Sequence, residues 1–173
     1  MKTPATLLLC SVLAAIGLSA RDARAAAPDK TVSKEVSGTL TVDGKTVALE
    51  HAYMDVSDPD EPIVFLCDKA LPAEAVPFVP EKLVKEKQLY AVAFSVSGKD
   101  GKLTNTYGKV HAPGHEIGVG LGRVEEGRLK LTVSRLDASH IDGTVSTVKP
   151  VGLSYITYSF DLKFRATARG PKS

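Results

Sequence analysis

"SGTLTVDGKTVALEHAY", Ser37 to Tyr53, sets the period of the chain. Two alternating segments flank Asp43-Gly44. An Asp-Gly pair between such segments is a strong hairpin signal, because a type I′ turn needs positive φ at both central residues. With the turn there, Val42 faces Lys45, Leu40 faces Val47, Gly38 faces Leu49 and Val36 faces His51. Leu40, Val47 and Leu49 then share one face, the side expected to meet the core. His51 and Tyr53 fall on that same side, so His51 reads as a packed or hydrogen-bonded core residue rather than an exposed ligand.

Working outward, the same period of two recurs. "IVFLC" (Ile63 to Cys67) is a continuous apolar run, expected for a strand covered on both faces. "LYAVAFSVS" (Leu89 to Ser97), "KLTNTYGKV" (Lys102 to Val110) and "HIDGTVSTV" (His140 to Val148) read as strands. "IGVGLGRV" (Ile117 to Val124) and "RLKLTVSRL" (Arg128 to Leu136) read as a hairpin through "EEG". In "LSYITYSFDLKFRATA" (Leu153 to Ala168), Tyr158, Phe160, Leu162 and Phe164 alternate with Ser159, Asp161, Lys163 and Arg165, giving one apolar and one wet face. Only "LPAEAVPFVPEKLVKEKQ" (Leu71 to Gln88) departs from the pattern. Pro80 at a first helical position, Glu81 behind it and lysines at 82, 85 and 87 predict a short helix there. The fold class is all-β: a single antiparallel β-sandwich or partly closed meander barrel of about eight or nine strands with one short helix.

The N-terminus predicts export. Lys2 precedes the apolar run Ala5–Leu18, and Ala23-Arg24-Ala25 offers small residues where a signal peptidase reads. The run is shorter than the roughly 20 apolar residues that span a bilayer. Cys10 follows Leu9, a poor match to a lipidation signal. Residues 1–25 are therefore expected to be a secretory signal peptide and residues 26–173 a single β domain, periplasmic or extracellular. The chain holds 22 basic and 20 acidic residues. Residues 1–25 contain Lys2, Arg21, Arg24 and Asp22, so the remainder balances at 19 against 19. A nucleic-acid binder would carry a clustered basic excess, so DNA and RNA are not expected partners. Roughly 148 residues are enough for one domain that needs no covalent staple. Cys67 stands alone in that domain and is expected to be a buried, inert thiol.

The early "GTLTVDGKTVALEHAY" and the late pair "HIDGTVS" and "YSFDLKFRA" resemble small secreted bacterial β proteins of uncharacterised function. The resemblance implies an exported β domain and carries over no active site.

For chemistry, "HAPGHE" gathers His111, His115 and Glu116 within six residues. Zinc takes three or four Cys, His or carboxylate ligands. Pro113-Gly114 argues against a helix that would align the two imidazoles. Convergence would have to come from a tight turn, with His140 joining only if the fold brings its strand alongside. A solvated hairpin tip is the plainer reading. "DVSDPDE" (Asp55 to Glu61) holds four carboxylates but lacks the glycine and closing glutamate of an EF-hand. Ser134, Asp137 and His140 have the residue types of a hydrolase triad, which geometry and not sequence proximity defines. No nucleophile elbow, phosphate loop or zinc-protease motif is present, so no catalytic residue is assigned.

Three readings follow. The first is a non-catalytic exported binding or interaction module, for a protein or small apolar ligand, using an apolar groove or an exposed patch of Tyr53, Tyr107, Tyr155 and Tyr158. The second is a periplasmic metal-binding protein using His111, His115 and Glu116, with His140. The third is an enzyme with an unrecognised site. No cofactor is expected beyond the divalent metal of the second reading.

Overall fold

A computed structural model of the protein describes residues 35–72, 86, 88–114, 119–120, 128–153 and 156–169. The hairpin forms as the dipeptide dictates: Asp43 has φ +48° and Gly44 φ +80°. Strand β1 (Val36–Val42) turns there into β2 (Lys45–Ala48), with Leu40 opposite Val47 and Val42 opposite Lys45. Then come β3 (His51–Asp55), β4 (Ile63–Cys67), β5 (Ala91–Val96), β6 (Leu103–His111) and β7 (Val119–Gly120). The chain ends with β8 (Leu129–Leu136), β9 (His140–Thr147), β10 (Val151–Leu153) and β11 (Ile156–Ala168). The described part is nearly all β, in one mixed sheet that does not close. Its order is β2-β1-β11-β3-β4-β5-β6-β7, with β9 and β10 also on β11 and β8 on β9.

Strand β11 is the spine. At 13 residues it outruns every neighbour. Along one edge β1 covers Tyr158–Phe164, and beyond it β3 pairs in parallel, Thr167 with Tyr53 and Ala168 with Met54. Along the other edge β10 takes Ile156–Tyr158 and β9 takes Asp161–Thr167.

This corrects several expectations. The sheet is mixed rather than purely antiparallel, because the length of β11 beyond β1 leaves backbone groups that β3 fills. The described residues form 11 strands rather than eight or nine. The run to Tyr53 is not one strand: β2 stops at Ala48 and the Glu50 N–H turns to the Cys67 carbonyl, 3.0 Å away. Val36 therefore faces Phe164, while His51 faces Cys67. The short helix expected in Leu71–Gln88 and the "EEG" turn fall largely or wholly outside the described residues. Among the described residues no helix is long and apolar enough to cross a membrane.

Two apolar clusters lie on opposite faces of β3, β4 and β5. The main one joins Leu40, Met54, Leu66, Phe94, Ile141, Tyr158, Leu162 and Phe164 with their neighbours. Phe94 and Phe164 meet edge to face, centroids 5.8 Å apart. The second holds Tyr53, Phe65, Cys67, Leu71, Leu89, Ala91 and Ala93. "IVFLC" is thus covered on both faces, as its unbroken apolar run requires. Each large side chain so buried contributes about 1.5–3 kcal/mol. In β11 the alternation of buried and outward residues is nearly complete.

Candidate functional site

The histidines separate. His111 ends β6, buried, with its ring 6.2 Å from that of Phe65. Register carries His51, Cys67, Ala91 and His111 across β3, β4, β5 and β6, so all four belong to the second cluster's face. His51 is half-buried there, not on the Leu40 side. Beyond His111, Ala112 is buried and Gly114 turns the chain with φ +88°. His115 and Glu116 lie outside the described residues. His140 opens β9, and in sheet order β11, β3, β4 and β5 stand between β9 and β6. Its Nδ1 meets Ser139 Oγ at 2.7 Å and Asp137 Oδ1 at 3.5 Å. Among the described residues, no three His, Cys, Asp or Glu side chains are grouped to hold a metal ion.

The other sequence clusters are explained locally. Asp137 Oδ1 accepts from Ser139 N–H, Ser139 Oγ and His140 N–H, and its Oδ2 accepts from Arg135. These donors hold the Asp137 carboxyl well below the usual range. Ser134 instead donates to the Asp142 carbonyl. Ser139 and Asp137 both approach the same nitrogen of His140, whereas a relay needs the nucleophile and the acid on opposite ring nitrogens. The cluster is a β8–β9 turn. In the acidic loop Asp55 accepts from Ser57 N–H and Oγ, Asp58 from Asp60 N–H, and Glu61 from Thr104. The Cys67 thiol donates to the Lys69 carbonyl at 3.1 Å, and burial pushes its pKa up to about 12. That leaves it protonated and unreactive. Of the tyrosines considered for an exposed patch, Tyr53 and Tyr158 are buried. The Tyr53 hydroxyl accepts from Leu71 N–H and its ring carries the Arg169 guanidinium 3.9 Å above it. The side chain of Tyr107 and all of Tyr155 lie outside the description.

A groove of about 290 Å³ opens elsewhere, on the outward face of β1 and β11, bounded by the β9–β10 connection. Its origin is a break in the β11 ladder. Strand β9 pairs back only to Asp161 and β10 forward only to Tyr158, so Ser159 and Phe160 have no strand partner on that edge. The Thr147 hydroxyl fills in, accepting from Phe160 N–H at 3.1 Å and donating to its carbonyl at 3.4 Å. A side chain in place of a strand makes β9 peel away, and the chain from Thr147 to Pro150 becomes a wall. Val148 N–H holds that wall to the Arg128 carbonyl.

The floor is an array of paired residues, Thr39 against Asp161 and Thr41 against Ser159. Thr41 Oγ1 meets Thr46 Oγ1 at 2.9 Å. The side chains of Thr39, Ser159, Asp161 and Lys149 have no hydrogen bond or ion pair with any described residue. On the rim Val148 is 64% exposed. Gly38 lets the floor close up: a Cβ there would fall 2.0 Å from the Asp161 carbonyl oxygen.

Sequence reasoning placed Ser159 and Asp161 on a wet strand face but saw nothing special in them. The local signals were the polar pairs Thr39-x-Thr41 and Ser159-x-Asp161, and only the register between their strands joins them. Comparison of the chain with known protein families, with curated proteins and with solved structures finds no match.

Proposed function

We propose that the protein is an exported, non-catalytic binding module whose ligand sits in the groove between β1, β11 and the β9–β10 connection. The observation that carries this reading is the convergence of polar side chains with no partner among the described residues, Thr39, Ser159, Asp161 and Lys149, beside an exposed valine. Polar groups placed to orient a ligand, next to apolar surface, are what small-molecule sites share. Export rests on the Ala5–Leu18 run and the Ala23-Arg24-Ala25 site. We read the sheet as folded over its main cluster with β11 shared, a sandwich rather than a barrel. Its interior is filled by Leu40, Met54, Phe94 and Phe164, which favours a ligand on the outside. The metal reading through His111, His115 and Glu116 draws less support, since His111 is buried beside Phe65.

The test is a ligand screen on isotope-labelled residues 26–173 against a set of small polar compounds, read by amide chemical shifts. Saturable shifts at Thr39, Thr41, Ser159 and Asp161 are expected. Shifts confined to other surfaces, or none, overturn the reading.

A further inference from the structure

Resting on that reading, we infer that the groove takes an uncharged saccharide. The lining selects by chemistry. Asp161 only accepts hydrogen bonds, Lys149 only donates, and Thr39, Thr41 and Ser159 do both. A ligand satisfying this set must donate and accept at closely spaced points, which is the property of a polyol. Cross-strand neighbours on the floor are about 5 Å apart, and residues two apart along a strand about 7 Å. That grid has the breadth of one sugar ring. One carboxylate and one ammonium cancel, so the lining offers a charged ligand no net attraction. Val148 and Pro150 supply the apolar surface against which the C–H face of a sugar ring lies.

Competing ligands fit less well. A phosphate or carboxylate would meet Asp161. A purely apolar molecule would desolvate four polar groups without repaying their hydrogen bonds. An added peptide strand needs free ladder groups, but Phe160 N–H and C=O are already taken by Thr147 and the Ser159 position is paired with β1. A cavity of about 290 Å³ lies at the small end of ligand sites, which suits one or two sugar units.

The experiment titrates labelled residues 26–173 with cellotriose, maltotriose and N,N′,N″-triacetylchitotriose as probes. At least one should give saturable shifts at Thr39, Ser159, Asp161 and Val148. Asp161→Ala and Val148→Ser should each weaken that binding by about tenfold or more, while Lys163→Ala, on the same face but outside the lining, should leave it unchanged. All three substituted positions are exposed, and an unchanged melting temperature confirms that the variants fold. Absence of groove shifts with all three sugars overturns the inference, as do shifts indifferent to Asp161→Ala and Val148→Ser. If the sugars fail while other polar compounds shift the same amides, the saccharide class falls and the groove stands. If nothing shifts them, both fall.

Discussion

Gly38→Ala tests the closeness of β1 and β11 that shapes both the sheet and the groove floor. Gly38 has φ +122°, a region essentially reserved for glycine, where another residue costs about 1–3 kcal/mol. The new methyl would also lie 2.0 Å from the Asp161 carbonyl oxygen and 3.0 Å from its carbon, both backbone atoms. No rotamer relieves that overlap, so β1 must move off β11. Each ladder hydrogen bond weakened by the movement forfeits about 0.5–1.5 kcal/mol. The expected loss is about 3 kcal/mol or more. Gly44→Ala is the internal control: φ is +80°, but nothing lies within 4 Å of the added carbon. It should cost only the left-handed penalty of about 1–2 kcal/mol. Urea unfolding followed by circular dichroism, with an unchanged slope, gives both values. If the two variants agree within about 0.5 kcal/mol, the backbone contact at Gly38 is not holding the strands together and the account of the groove floor fails with it.

Further outcomes are expected of the core, the thiol and the β8–β9 turn. Phe164→Ala removes a buried ring in edge contact with Phe94 and should destabilise by about 3–5 kcal/mol in the same assay; a loss under about 1 kcal/mol would contradict that packing. Cys67 should resist iodoacetamide in the native protein at pH 8 and react fully in urea. Because its folded pKa is raised to about 12, its contribution to stability is complete below the ordinary thiol range and declines as pH rises from there toward that value. Native-state alkylation at the unfolded rate would refute this. Asp137 has the opposite sign: its depressed pKa places its contribution above about pH 3.9 and removes it only on stronger acidification. The Ser139 amide shift should therefore titrate with a midpoint well below that pH, and a midpoint at the ordinary carboxylate value would dissolve the turn's hydrogen-bond assignment.

What was legible in the sequence is what depends on near neighbours. Asp43-Gly44 announced its turn because positive φ at both positions is a property of those two residues. The wet and dry faces of β11 were readable because strand period is local. Cys67 read as core because a run apolar at every position needs cover on both faces. Partner choice has no such local mark. Nothing in Thr167 or Ala168 says that β3 will join them in parallel, and that pairing follows only from β11 being longer than β1. The same holds for the site. "HAPGHE" attracted attention through residue type, yet the burial of His111 depends on which strands flank β6. The floor residues are ordinary strand residues, and they become a site only where β9 leaves β11 before β10 arrives. That gap is held open by one threonine hydroxyl standing in for a strand. Thr147→Val tests this: without the hydroxyl, the Phe160 N–H and C=O lose their partner, and either β9 zips further along β11 or water enters. Both would change the amide exchange of Phe160 and shift Thr39 and Asp161 across the floor, whereas an unchanged Phe160 exchange rate would mean that the gap has another cause.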